Sequence, residues 1–119
     1  YKLAYEEVNH NMALVRAGLS FRDFTKKSFK PPKQYHANRY PFIAHGIGMC
    51  DEWPGIYYPQ DFAAGGYDGV IEENMTLCIE SYMGAEGGYE GVKLERQVLV
   101  TKTGCIPLDK YPFEDELLA

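Results

Sequence analysis

The chain has 119 residues, 45% of them hydrophobic, and it includes ten tyrosines and six phenylalanines. This is enough apolar material for one domain with a buried core, and it argues against intrinsic disorder. The formal net charge is −5, with no basic run longer than Lys26–Lys27 and no apolar run approaching ~18 residues. The composition therefore argues against a nucleic-acid partner and against a membrane-spanning segment.

Residues 1–17 carry the clearest helical pattern. Apolar side chains recur at steps of four and three residues along one face, at Tyr1, Tyr5, Val8, Met12 and Val15. Polar side chains are predicted to lie on the other faces, at Glu6, Glu7, Asn9 and Arg16. The chain does not begin with methionine, and it opens inside this predicted helix. We therefore expect the sequence to be a piece of a longer protein.

A second helix is predicted over residues 21–30. Gly18 is placed to end the first helix, and Ser20 is placed to cap the second, with Asp23 three residues further on. A pair of prolines at positions 31 and 32 ends the second helix.

The remaining two-thirds of the chain have the pattern of strands and loops. Strands are predicted at residues 42–45, 75–82, 92–101 and 105–108. A polar and aromatic stretch at residues 33–41 and segments rich in turn-forming residues at 54–74 and 84–91 predict connections. An acidic tail follows at residues 109–119. Two helices followed by several strands predict an α+β fold with the helices packed on one face of an antiparallel sheet.

Two predicted strands carry a glutamate among largely apolar positions. Glu80 shares a strand face with Thr76, Cys78 and Tyr82, and Glu95 shares one with Lys93, Gln97 and Leu99. A carboxylate inside a sheet is unfavourable unless it is paired or binds a metal. Together with His45 these glutamates would suit Fe, Mn, Zn or Co. The alternative is that both glutamates lie on an open sheet face and His45 is an ordinary core histidine.

The remaining cysteines and histidines give weaker signals. Three cysteines without a Cys-x-x-Cys motif indicate reduced thiols of a cytoplasmic protein. Cys50 adjoins Asp51, but no histidine is placed by spacing to activate it, which argues against a nucleophilic role. We expect His10 and His36 at the surface rather than at a metal.

Four motifs occur in an order that resembles the methionine aminopeptidase, prolidase and creatinase superfamily. They are His45-Gly-Ile-Gly, Asp51-Glu-x-Pro, Asn74-Met75-Thr-x-x-Ile-Glu80 and Glu95-Arg-Gln-Val-Leu-Val-Thr101. The resemblance implies the C-terminal half of a pita-bread fold, with the two helices on a curved antiparallel sheet. It also implies that His45, Glu80 and Glu95 are metal ligands.

The superfamily binds two metal ions and uses two further aspartates as ligands, which precede the helix pair. No such Asp-x-Asp strand lies within residues 1–119. We therefore expect this chain to be part of a catalytic domain, with the aspartates in the preceding ~30–60 residues. We expect the 119-residue chain alone to have little or no activity.

The second departure from the superfamily is Asp51, which replaces a catalytic histidine. A carboxylate is poorly suited to steady an oxyanion but well suited to remove a carbon-bound proton. Residues 40–54 resemble the branch that cleaves dimethylsulfoniopropionate to dimethyl sulfide and acrylate. The resemblance implies iron, with Asp51 as the base. Tyr40 and Trp53 are candidate aromatic walls for the sulfonium cation.

Simpler roles and rival functions stay open at this point. Tyr40 and Trp53 could be ordinary packing residues, and Asp51 could cap a loop. The rival functions are an Xaa-Pro-type metallopeptidase and a non-catalytic binding module of the same fold. We expect a small-molecule substrate, no nucleic-acid or membrane partner, and a homodimer in the full-length protein.

Overall fold

The computed structural model describes residues 1–119 as a five-stranded antiparallel sheet with helices. The α-helices are α1 (Lys2–Leu14), α2 (Phe21–Lys27), α3 (Pro59–Gly65) and α4 (Asp115–Leu118), with a 3-10 turn at Lys33–Tyr35. The strands are β1 (Phe42–Gly46), β2 (Gly55–Tyr57), β3 (Thr76–Gly84), β4 (Gly91–Val100) and β5 (Cys105–Pro107). Their spatial order is β2-β1-β3-β4-β5. No helix is both long and apolar enough to cross a membrane.

The predicted α+β architecture is confirmed, because α1 packs on β3 and β4 and all four predicted strands form. The predicted cap of α2 is also present, since the Ser20 hydroxyl accepts a hydrogen bond from the Asp23 amide at 3.0 Å. The helix ends three residues earlier than predicted, however. The Asn11 side chain accepts a hydrogen bond from the Phe29 amide at 2.8 Å, which draws the chain out of the helix before the prolines.

The prediction of a continuous loop over residues 54–74 is wrong. This segment contains β2, which pairs with β1, and the short helix α3, which begins with a proline. A three-residue strand has too few positions to show alternation, so only its pairing with β1 defines it. A proline is well tolerated in the first turn of a helix. The many turn-forming residues around Pro59 favoured the prediction of a loop over that of a helix.

The core lies between the sheet and the helices, and its buried side chains come from every part of the chain before residue 101. They are Val15, Leu19, Phe21, Phe24, Ile43, Ala44, Ile56, Tyr58, Ile71, Leu77, Ile79, Val98 and Val100. The opposite sheet face carries His45, Cys78, Glu80 and Glu95. The three cysteines form no disulfide, as expected.

The prediction that Glu7 lies outside the buried face of α1 is wrong, because Glu7 is fully buried against the sheet. Its carboxylate accepts hydrogen bonds from the Tyr58 hydroxyl, at 2.7 Å, and from the Ser81 hydroxyl. Burial raises the pKa of Glu7 above its ordinary value, although these two hydroxyl donors oppose the shift. The buried stripe of the helix is completed by Ala4, Val8 and Asn11.

Relative to wild type, the Glu7→Gln variant should become more stable as pH rises. A raised folded-state pKa means that the glutamate favours folding below its unfolded pKa of 4.5 and loses that contribution as pH rises. Glutamine keeps the shape and does not titrate. Urea unfolding between about pH 4 and pH 8 measures the difference. The exposed neighbour Glu6→Gln is the control, and parallel curves for wild type and Glu7→Gln would contradict the expectation.

Candidate metal centre

Strand register brings the predicted ligands together on one sheet face. His45 of β1 lies opposite Cys78 of β3, and Glu80 of β3 lies opposite Glu95 of β4. Because side chains alternate along a strand, Cys78 and Glu80 project from the same face. The three predicted ligands therefore converge from three neighbouring strands.

His45 is buried and has the tautomer that a metal ligand needs. Its Nδ1 lies 2.8 Å from the Gly46 carbonyl oxygen, which can only accept a hydrogen bond, so Nδ1 carries the proton. In the neutral imidazole the lone pair is then on Nε2, which lies 3.6 Å from Glu80 Oε1 and 3.8 Å from Glu95 Oε1. Two atoms that each bind one ion at about 2.1 Å can be up to about 4.2 Å apart. Both separations fit a shared ion.

Glu80 is fully buried, and neither of its oxygens accepts a hydrogen bond with favourable angles. Its nearest cationic group is the Lys93 ammonium, with Nζ 3.0 Å from Oε2. Burial raises the pKa of Glu80, while Lys93 and His45 act in the opposite direction. The cost of burial outweighs the ion pair with Lys93, so the surroundings of this carboxylate suit a further bound cation.

Glu95 is 38% exposed and is held by two neighbours. The Cys78 thiol donates a hydrogen bond to Oε1 at 2.9 Å, and Lys93 Nζ lies 3.1 Å from Oε2. Burial raises the pKa of Glu95, but these two contacts outweigh it, and the net pKa shift is downward. Glu95 is thus oriented as a carboxylate beside His45.

Sequence reasoning assigned no role to Cys78 and Lys93, although both share strand faces with the glutamates. Burial and the neighbouring Glu95 raise the pKa of the Cys78 thiol, which keeps it protonated as a donor. Atoms of His45, Cys78 and Glu95 that could bind a metal all lie within 4.8 Å of one another. Cys78 precedes Glu80 by two residues, and Lys93 precedes Glu95 by two, which was the signal available in the sequence.

Lys93 also contacts Tyr40. Its Nζ lies 4.4 Å from the centroid of the Tyr40 ring, within the range of a cation–π interaction. Burial lowers the pKa of Lys93, but Glu80 and Glu95 outweigh it, and the net pKa shift is upward. The Tyr40 ring thus has the Lys93 ammonium as a cationic neighbour within the chain.

Asp51 lies on a tight loop between β1 and β2. A Cβ atom at Gly46 would lie 1.8 Å from the Trp53 carbonyl oxygen, so only glycine allows this close return of the chain. Asp51 adopts a left-handed conformation with φ of +56°, which aspartate tolerates better than most residues. Its side chain is exposed, and no hydrogen bond or ion pair joins it to His45 or the two glutamates.

Tyr40 and Trp53 have different surroundings and do not stack on each other. The Tyr40 ring faces Tyr82 at 6.4 Å between centroids. Trp53 is 61% exposed and stacks on Tyr67 at 4.8 Å with an interplanar angle of 9°. Their role as walls of one cation pocket stays a prediction.

Known proteins with similar sequences include two bacterial lyases. The chain is 39% identical over 115 residues to the dimethylsulfoniopropionate lyase DddP of Roseovarius nubinhibens, covering 97% of this chain and 26% of that protein. It is 37% identical over 113 residues to the corresponding lyase of Roseobacter denitrificans, covering 95% of this chain and 25% of that protein. The chain thus spans about a quarter of the length of these relatives.

Solved structures of Xaa-Pro peptidases share the fold. The Xaa-Pro dipeptidase from Bacillus anthracis superposes with a TM-score of 0.75 at 25% identity, covering 94% of this chain and 30% of the dipeptidase. The prolidase from Pyrococcus horikoshii OT3 gives a TM-score of 0.73 at 22% identity, covering 96% and 31%. The predicted pita-bread fold is confirmed.

The family itself follows from the match to a sequence model of metallopeptidase family M24, which spans residues 1–102. That stretch contains both N-terminal helices and all three predicted metal ligands. Divalent metal ions are the cofactors that this family implies, and the cluster of histidine and glutamates is suited to them. The chain belongs to metallopeptidase family M24.

Proposed function

We propose that this chain is the C-terminal part of the catalytic domain of a metal-dependent lyase that cleaves dimethylsulfoniopropionate to dimethyl sulfide and acrylate. The observation that carries the choice of substrate is the 39% identity to a dimethylsulfoniopropionate lyase over 97% of the chain. Asp51 follows the proposed ligand His45 closely in the sequence, and a carboxylate at this position agrees with elimination rather than hydrolysis.

His45, Glu80 and Glu95 would hold the metal, and the fully buried carboxylate of Glu80, which accepts no hydrogen bond with favourable angles, supports this assignment. The ion, which we propose to be iron, with Mn, Zn or Co as alternatives, supplies positive charge that binds and polarises the substrate carboxylate. Three side chains are too few ligands for two ions, so the proposal requires further ligands outside residues 1–119.

Asp51 is the proposed base. Its carboxylate removes a proton from the carbon next to the substrate carboxylate, and the C–H electron pair becomes the second bond of a C=C double bond. The C–S bond breaks, and its electron pair leaves with sulfur. The products are acrylate, dimethyl sulfide and a proton held on Asp51, so atoms and charges balance.

Tyr40 is the better supported of the two proposed substrate-binding residues. Its ring already faces the Lys93 ammonium at 4.4 Å, which supports the ability of this face to accept a cation. Trp53 uses one face to stack on Tyr67 and is otherwise largely exposed. For the full-length protein we propose a cytoplasmic homodimer that acts on a small molecule, without a nucleic-acid or membrane partner.

Product analysis of the full-length protein tests the proposal. We expect the purified protein with bound metal to release dimethyl sulfide and acrylate from dimethylsulfoniopropionate, measured by gas and liquid chromatography. Release of amino acids from Xaa-Pro dipeptides instead would support the peptidase alternative, which the similarity to the Bacillus anthracis dipeptidase favours. A protein with neither bound metal nor activity would support a binding module.

A further inference from the structure

Lys93 joins the same two carboxylates that are assigned to the metal. Its Nζ lies 3.0 Å from Glu80 Oε2 and 3.1 Å from Glu95 Oε2. The other oxygen of each carboxylate, Oε1, faces His45 Nε2 at 3.6 and 3.8 Å. Lys93 Nζ and His45 Nε2 therefore face different oxygens of the same two carboxylates.

An ammonium in this position opposes metal binding through charge and through the ligand atoms it engages. A metal ion bound to the two Oε1 atoms would share both carboxylates with the ammonium on the Oε2 atoms, and two cations held by the same groups repel each other. Lys93 also binds one oxygen of each carboxylate, so those oxygens are available to an ion only after the ammonium withdraws. Both effects disappear if the lysine side chain moves.

The lysine side chain is only partly enclosed by its neighbours. It is 34% exposed, and its flexible four-carbon stem begins on β4 at the open face of the sheet. The Tyr40 ring, 4.4 Å from Nζ, offers the ammonium a second favourable contact that does not involve the carboxylates. Withdrawal therefore does not require full loss of the cation's partners.

We propose that Lys93 is an intramolecular competitor of the metal. Its ammonium neutralises Glu80 and Glu95 and keeps the two carboxylates together, and an arriving metal ion displaces it towards Tyr40. The affinity of the site for metal is then set partly by the ion pairs that Lys93 gives up. This inference rests on the metal ligands named under the proposed function.

The test measures metal affinity rather than activity. The full-length protein is stripped of metal with a chelator and titrated with Co²⁺ alone by isothermal titration calorimetry. Lys93→Met, which keeps most of the length of the side chain without its charge, should bind Co²⁺ with a Kd about tenfold lower than wild type. The matched control is Lys102→Met, an exposed lysine after β4, which should leave the Kd unchanged.

Lys93→Arg keeps the positive charge and serves if the methionine variant fails to fold. A guanidinium can hold both carboxylates with several hydrogen bonds, so this variant should bind Co²⁺ several-fold more weakly than wild type. An equal or higher Kd in Lys93→Met, or an equal or lower Kd in Lys93→Arg, would overturn the competitor role while leaving the metal site intact. Failure of wild type to bind Co²⁺ would overturn the metal site itself and, with it, this inference.

Discussion

Replacing Asp51 by asparagine in the full-length protein should lower the rate of dimethyl sulfide release by about 10²–10⁴-fold while the bound metal is retained. The amide has the same shape as the carboxylate but cannot take a proton. No hydrogen bond or ion pair joins Asp51 to His45, Glu80 or Glu95, so its replacement should leave the ligand cluster unchanged. Activity is measured by chromatography of dimethyl sulfide, and metal content by elemental analysis.

The backbone at this position decides which substitution is informative. Asp51 has a φ of +56°, and asparagine tolerates this left-handed conformation as well as aspartate does. Alanine would add backbone strain to the loss of the carboxylate, so a defect in Asp51→Ala would have two causes. Glu52→Gln, which removes the adjacent exposed carboxylate, is the control and should keep its activity. A fully active Asp51→Asn protein would refute the assignment of the base.

The ligand cluster could be predicted because it depends on local rules. Alternation places Glu80 and Glu95 on one face of their strands, and the hairpin between β3 and β4 pairs them directly. His45 is the last residue but one of β1 and precedes Gly46, where a Cβ atom would clash with the Trp53 carbonyl. The superfamily motifs contain these same local features, which is why the sequence and the structure agree here.

Glu7, Lys93 and the segment 54–74 could not be predicted in the same way because they depend on distant partners. The hydroxyl donors of Glu7 are Tyr58 and Ser81, which follow it in the chain by 51 and 74 positions. A carboxylate beside an apolar stripe is normally solvated, and only those donors make its burial possible. For Lys93, periodicity gave the strand face but not the reach of a long side chain to Glu80 and Tyr40.

The two glutamates should also differ in how they affect stability, although both are proposed metal ligands. Loss of a residue that only supports a metal ligand typically weakens metal binding about 10–100-fold. Glu80→Gln and Glu95→Gln remove ligands themselves and should each weaken Co²⁺ binding by more than that. In protein stripped of metal, Glu80→Gln should raise the free energy of unfolding at neutral pH, because the cost of burying the Glu80 carboxylate outweighs its ion pair with Lys93. Glu95→Gln should lower it, because it removes a partner of Cys78 and Lys93.

The opposite pKa shifts of the two glutamates give this expectation its pH dependence. Glu80 has a raised pKa, so it favours folding below the unfolded value of 4.5 and opposes it increasingly above, and the gain in Glu80→Gln should grow as pH rises. Glu95 has a lowered pKa, so its contribution is present above 4.5 and is lost as pH falls. The deficit of Glu95→Gln should therefore vanish in acid. Urea unfolding at several pH values below and above 4.5 gives, for each variant, the change in free energy of unfolding relative to wild type. If that change had the same slope against pH in both variants, the two carboxylates would not have the different surroundings that the structure indicates.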